Sequence, residues 1–547
     1  MKKIVILSLI VILCFAAGCQ NKSKENAAPS ASSPAASATD ATASGPSTEA
    51  GYQGELPLTK EKVTLTLATH SGWSTTAPPP SNDLPVWKYL EELTNVHIEF
   101  QVTPSSSYND TMSSRIAAGQ KLPDIFNMPS NAVDLAQQGM IIAQDELYDK
   151  YAYYSKKLFD EPGAEFSSYK NLMKQADGKF YGFGNITVPT IQTPVIMLNM
   201  KWMEKLHLNI PTTTDELFEV LQAFRDDDPN GNGKPDEIPL TAEGANLYVL
   251  GDAFGLQGMW NGSWMLDSEG KLIHKKTSPQ YKDFLTYVNK LYENKLLDKD
   301  ILTVDWNKIQ EYAANNLVGA AIYWSSGAIP LNSVSPLVND PSGNTRVFDP
   351  ILPLKGPSGI QALYNRLGYG GDDMAISASS KNQELAFKWL DFIYASPQAK
   401  DTIDWGIEGL TYKIVDGKKV KIIPEDKPWA EALSAIGGGQ QPKAYIQYPE
   451  FMQNVLPDWF KDHMSNFDPY YKDPDVLGFK LTAAEKSETK KYSSDLNTFI
   501  DESYAKFLMG NEPLSKYDDY LNKLKQIGYD KYMAVQQEAY ENSLNLK

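Results

Sequence analysis

Two cysteines serve the whole 547-residue chain, and both stand within its first 19 residues, at positions 14 and 19. No disulfide can staple the remaining residues, which must be held by a packed core alone. The material for one is present: 42% of the residues are hydrophobic, which excludes wholesale disorder. At about 150 residues per domain, this length suits two to four domains or one large two-lobed unit. The 51 Lys and Arg against 68 Asp and Glu leave a net charge of −17. A phosphate-tracking surface needs clustered cations, so nucleic acid is not an expected partner.

The cysteines sit in an export signal. Lys2 and Lys3 form a positive start and Ile4 to Phe15 an apolar run. That run is shorter than the roughly 20 residues a bilayer span needs. The small residues Ala16, Ala17 and Gly18 precede Cys19 and resemble a bacterial lipobox, with Ala16 where Leu is commonest. Residues 1–18 are therefore expected to be a signal peptide and Cys19 the lipidated residue. Ordinary secretion with an incidental Cys19 is the competing reading. The expected location is the extracellular face of the cytoplasmic membrane, with contact through the lipid anchor only, since no later stretch is apolar and long enough to span. Residues 20–58 are rich in Ala, Ser, Thr and Pro without apolar periodicity, a flexible leash.

Beyond the leash, periodicities of two and of 3.6 alternate. Val63–Ala68, Val96–Val102 and Leu122–Phe126 read as strands, with helices over Leu84–Thr94 and about Asn109–Ala118 between them. This order predicts a parallel, doubly wound α/β sheet with ligands beyond the carboxyl ends of its strands. The loop after Ala68, with His70, Ser71, Gly72 and Trp73, is a candidate site on that ground. From Trp202 helices predominate: Trp202–Leu206, Thr214–Phe224 and Gln280–Glu293. Strand-like segments return at Gly319–Trp324 and Asp373–Ser377, followed by helices at Glu384–Tyr394, Ser494–Leu508, Tyr517–Gln526 and Met533–Asn542. Trp87, Trp202 and Trp389 fall on helical stripes and are assigned to packing. Strands flanking a helix-rich middle suggest two lobes whose segments interleave.

The most specific motif is Asp228-Pro229-Asn230-Gly231-Asn232-Gly233-Lys234-Pro235-Asp236-Glu237. Oxygen-bearing side chains occupy loop positions one, three, five and nine, and Gly233 occupies six, as in an EF-hand loop. Lys234 offers its carbonyl at position seven. Position twelve is Pro239 rather than Glu, and Glu237 can supply the missing carboxylate. Alternate oxygens around one point suit Ca²⁺ in a structural role, through Asp228, Asn230, Asn232, Lys234, Asp236 and Glu237. A metal-free Asn-Gly turn is the competing reading.

This loop, ending in Asp-Glu-Ile-Pro, resembles the calcium loop of family 1 extracellular solute-binding lipoproteins of bacterial ABC importers, in the large oligosaccharide- and alginate-binding-like branch. Leu122-Pro123-Asp124-Ile125, Asp177 to Phe183, Trp202 to Leu206 with Pro211 to Thr214, and Gly406-Ile407-Glu408-Gly409 with Tyr412 match it in order. The resemblance implies an α/β, type II periplasmic-binding-protein fold, with two interleaved lobes around a hinged ligand cleft. The expected segments are 59–190 and 369–430 in the first lobe, and 191–368, with the calcium loop, and 431–547 in the second. It implies an oligosaccharide ligand, the transmembrane subunits of an ABC permease as partner, and a monomer.

Sugar faces stack on aromatic rings while hydroxyls seek planar acceptors and donors. Candidate contacts are Trp73, Trp260, Trp264, Trp324 and Trp405, with Arg366, Asp372, Asp373 and Glu408. Trp324 leads them, because it ends an apolar strand and precedes Ser325-Ser326-Gly327. No catalytic residues are expected. The five histidines (70, 97, 207, 274 and 463) are scattered and no Gly-x-Ser-x-Gly elbow occurs. A tethered polysaccharide lyase or hydrolase, using a pair such as Asp372 and Glu408, and a binding protein for peptide or another non-sugar solute are the alternatives.

Overall fold

The computed structural model describes residues 52–71, 78–130, 132–164, 166–167, 170–187, 193–260, 262–338, 346–364, 368–424, 429–439, 446–447, 456–476 and 478–544, by backbone alone at 171–172, 187, 245, 368–373 and 447. Cys19, the leash as far as residue 51, Trp73 and Arg366 lie outside the described residues.

The strands run in chain order as β1 Val63–His70, β2 Val96–Thr103, β3 Ile125–Asn127, β4 Gly182–Thr187, β5 Pro194–Asn199, β6 Ile238–Ala242, β7 Trp264–Leu266, β8 Leu272–His274, β9 Val318–Trp324, β10 Phe348–Pro350, β11 Leu363–Tyr364, β12 Gly368–Ile376, β13 Tyr412–Val415, β14 Lys418–Lys421, β15 Ile446–Gln447 and β16 Tyr471–Lys472. They build a six-stranded sheet, β15-β4-β12-β3-β1-β2, and a four-stranded sheet, β10-β5-β9-β6. Among the described residues three short two-stranded ribbons complete the set.

The alternation in β1 explains why both faces of the larger sheet are covered. Leu65 and Leu67 enter one core with Ile125, Phe183, Met374, Phe387 and Trp389. Ala68 faces the other side with Tyr108, Phe126, Tyr181 and Ala375. Polar pins fix the register: Asp124 accepts the Thr66 N–H and hydroxyl at 2.9 and 2.8 Å, and the Ser380 hydroxyl at 2.6 Å. This accounts for the Leu-Pro-Asp-Ile motif physically. Trp87, Trp202 and Trp389 are buried, as their helical stripes predict.

The larger sheet departs from the expected parallel arrangement. β1 pairs parallel with β2 and β3, but β12 runs antiparallel to both β3 and β4. The cause is topological: β12 enters from the other sheet, whose last strand before it is β10, rather than by a crossover from a neighbouring parallel strand. The smaller sheet is also mixed, with β9 antiparallel to β5 and parallel to β6.

The chain passes from the larger to the smaller sheet between 187 and 194 and back between 350 and 368. The sequence places the next return at 431, yet β15 still pairs with β4. Among the described residues after β15, Leu456 is the first to join the smaller sheet's core. A two-residue strand carries too little periodicity to be read from sequence. The C-terminal helices Ala483–Leu508 and Tyr517–Ile527 close that core with Leu496, Ile500, Phe507, Tyr520 and Leu524, and Tyr529–Leu544 comes after them. Among the described residues no helix is long and apolar enough to cross a membrane.

Candidate functional site

Two features stand at opposite ends of β6. The acidic loop enters it and an aromatic group gathers beyond its carboxyl end.

The loop comes after helix Thr214–Asp226, whose start is capped by the Thr213 hydroxyl accepting the Glu216 N–H. Asp228 turns the chain with φ 46°, and Gly231 and Gly233 take φ 76° and 71°, where a Cβ would be strained. The Lys205 ammonium donates to the carbonyls of Asp228 and Pro229 at 3.0 Å each, pinning the turn from outside. Inside, the Asp228 carboxylate accepts the N–H groups of Gly231, Asn232 and Gly233 at 3.0–3.1 Å. Asp236 accepts the side-chain amides of Asn230 and Asn232 at 2.9 and 3.0 Å. Those amides, Asn232 foremost, hold the Asp236 carboxyl below the usual carboxylate range.

Glu237 behaves oppositely. Its Oε1 is buried with no hydrogen-bond partner. Burial, with the negative charges of Asp228 and Asp236, pushes its carboxyl up. Among the described residues no three His, Cys, Asp or Glu converge on a metal position by themselves. A cation here would need amide and carbonyl oxygens beside the acids.

The aromatic group forms where β9 ends. Val318 to Ile322 are buried, and the strand then delivers Tyr323 and Trp324 to its carboxyl end. Trp324 is 37% exposed. The Trp260 ring meets it edge to face at 5.4 Å and 86°. The Trp260 indole N–H is buried without a partner. Tyr323 stacks on Trp306 at 3.9 Å and 9°, and Trp306 is seated by its backbone N–H donating to Glu243, the residue after β6, at 3.1 Å. Gly327 is required by this packing: a Cβ there would lie 2.7 Å from the Tyr323 ring and 3.0 Å from Trp306. The Ser325 N–H donates to the Thr193 carbonyl at 2.9 Å and fixes the turn.

Of the sequence-read candidates, the structure therefore joins Trp260 and Trp324. Trp264 instead packs in the β7–β8 ribbon against His274 at 5.3 Å, and against Phe479 and Tyr532. Trp405 ends helix Pro397–Trp405 and contacts Trp429 at 5.7 Å and Tyr412 at 6.0 Å. Glu408 is exposed in the turn closed by the Gly409 N–H donating to the Tyr412 carbonyl at 2.7 Å. Asp372 and Asp373 lie on β12, and their side chains are outside the described ones. β1 extends to His70, whose Nδ1 lies 2.8 Å from the Ser105 hydroxyl. Sequence reasoning misses Trp306, Tyr323 and Glu243. Their signal is weak, because they are scattered over 81 positions of chain and meet only when β6 and β9 pair.

This architecture, two interleaved α/β lobes with candidate sites at strand ends, is the type II periplasmic-binding-protein fold. The family described as bacterial extracellular solute-binding protein matches residues 74–400, and the chain belongs to it. The fructooligosaccharide ABC transporter substrate-binding protein FusA of Streptococcus pneumoniae serotype 4 (strain ATCC BAA-334 / TIGR4) is 28% identical over 527 residues, covering 89% of this chain and 91% of its own. FusA from S. pneumoniae in complex with kestose superposes with a TM-score of 0.72 at 26% identity, covering 89% of this chain and all of that one. An EF-hand mutant of S. pneumoniae FusA in complex with fructo-nystose gives a TM-score of 0.71 at 26% identity over the same shares.

Proposed function

We propose that this protein captures an oligosaccharide between its lobes and delivers it to an ABC permease, tethered to the membrane by a lipid on Cys19. The observation that carries this reading is the half-exposed Trp324 with Trp260 edge-on at the carboxyl end of β9. A ring presented this way stacks on a sugar face, and the unpartnered Trp260 N–H can donate to a sugar oxygen. The fructooligosaccharide specificity of the relative FusA supports the same chemistry. Trp73, Asp372, Trp405 and Glu408 remain proposed contacts from the other lobe and Arg366 a proposed contact from the same one, while Trp264 has its ring engaged in packing. A ligand touching both lobes stabilises the closed form and shifts its population, which a permease can read. No bond of the sugar is broken in this scheme.

The loop fits Ca²⁺. Carboxylates from Asp228, Asp236 and Glu237, side-chain oxygens from Asn230 and Asn232 and the Lys234 carbonyl are the hard donors this ion takes. The buried, unpartnered Glu237 oxygen beside two further acids is the observation in its favour. When bound, the ion would supply the positive charge that this group lacks. The EF-hand mutant made in FusA supports a loop of this kind in a relative.

Tryptophan fluorescence titrated with kestose, oligogalacturonides and a peptide panel tests the reading. Saturable change with one glycan class is expected. A response to peptide alone overturns it, and release of new reducing ends from any glycan would establish an enzyme instead.

A further inference from the structure

The ribbon β13–β14 carries an exposed apolar and cationic face. Its register sets Lys413 opposite Val420 and Val415 opposite Lys418, so these four side chains share one face. All four are exposed or partly so. The opposite face is the one seated on the protein: the Lys419 ammonium lies over the rings of Trp405 and Tyr412 at 5.5 and 4.9 Å, and Lys421 over Trp429 at 4.8 Å. Leu410 and Ile423 at the base add apolar surface, 52% and 67% exposed. Burying large apolar side chains is the normal outcome of folding, and a contiguous exposed group marks an interaction surface. Residues 410–424 contain four lysines and one acid, Asp416, in a chain of net charge −17. The acids just beyond, Glu425 and Asp426, lie outside the described residues.

The entry of the chain into the fold says what this face meets. Gln53 and Gly54 line a cavity with Tyr153, Tyr154, Ala395 and Pro397, and the Tyr154 hydroxyl donates to the Gly54 carbonyl at 2.9 Å. The leash therefore joins the fold beside Pro397, where helix Pro397–Trp405 begins, and the ribbon caps that helix at Trp405. Nine residues of helix span about 13 Å. A flexible chain of about 30 residues spans about 30 Å root-mean-square, so a membrane holding the far end of a leash that joins at Gln53 is within reach of the ribbon.

We infer that the ribbon seats on an anionic phospholipid surface, with its apolar side chains in the headgroup boundary and Lys413 and Lys418 on the phosphates. Seating by this one basic face sets which way the tethered domain faces, because the acidic remainder is repelled. The inference rests on the proposed tether at Cys19.

The test holds the mature chain on vesicles by a histidine tag in place of Cys19 and a nickel-chelating lipid, so it does not depend on native acylation. Residues beyond 19 contain no cysteine, so a polarity-sensitive dye on Val415→Cys is unique. On mixed phosphatidylcholine–phosphatidylglycerol vesicles its emission should shift to the blue and be quenched by spin-labelled lipid. Phosphatidylcholine alone should do little. Lys413→Glu with Lys418→Glu should reduce the seated fraction about fivefold per lysine, with the melting temperature unchanged. A dye on Ser333→Cys, exposed beyond the smaller sheet, should stay in water on both vesicles. A Val415 dye as wet as the Ser333 dye overturns the inference, as does shielding that appears only when the vesicles carry a permease. Native acylation is read separately, from the mass of the N-terminal peptide: an unmodified Cys19 removes the tether reading and leaves the vesicle result standing.

Discussion

The acidic loop and the aromatic strand end share one five-residue strand, β6, and differ in how they are held. The loop is held largely from within: apart from the Lys205 clamp, its hydrogen bonds link residues two to six positions apart. The aromatic group is assembled from Glu243, Trp260, Trp306 and Trp324, which meet because β6 and β9 pair. A local site can be altered without disturbing the fold around it, whereas an assembled one reports on the packing that builds it.

Removing calcium should give the largest effect. With free Ca²⁺ at a hundred times its dissociation constant, the ion adds about 2.7 kcal/mol of stability that a chelator removes. Glycan affinity should change little, because the loop lies at the far end of β6. Glu237→Gln should lower the melting temperature in calcium and raise it in chelator, since it deletes a ligand in one state and a buried, repelled carboxyl in the other. Calorimetry showing no chelator effect would break the comparison on the loop side.

Trp324→Ala comes next. Truncating a central aromatic anchor costs about 2 kcal/mol, about thirtyfold in affinity. Thermal unfolding should barely move, because the ring is half-exposed. An equal loss of stability would show that Trp324 is core rather than contact.

The third test uses pH and sharpens the assignment of Trp264. Burial first, then Lys276 and Lys275, push His274 down to about 3. The unfolded chain titrates near 6.5. A depressed histidine destabilises the fold as pH falls below about 6.5, by about 1.4 kcal/mol per pH unit, until about pH 3. His274→Asn should flatten the acid limb of a melting-temperature profile by that slope. An unchanged slope would mean that the β7–β8 ribbon opens and that Trp264 is free to meet ligand.

The same distinction explains what is legible in the sequence. The stripe over Gln280–Glu293 lies within a residue of the helix Pro279–Glu293, since an amphipathic pattern is written in neighbouring positions. Thr214–Phe224 and Val63–Ala68 each fall two residues short of their elements, because element ends depend on caps and pairing. Trp260 and Trp324 stand out as candidates, but nothing in the sequence says that they touch. Trp264 carries the same chemistry in the sequence as Trp324, and its packing against His274, Phe479 and Tyr532 tells them apart.

By itself the sequence determined the short apolar run ahead of Cys19, the oxygen spacing of Asp228–Glu237 and the periodicities of most helices, because each is a relation among residues close in the chain. Only the tertiary structure decided that β12 runs against β3 and β4, that β15 stays with the larger sheet and that Trp324 faces solvent over Trp260. It also decided that β13–β14 is left with an open cationic face. These depend on which distant segments pack together, and packing is set by the whole buried core rather than by any local pattern.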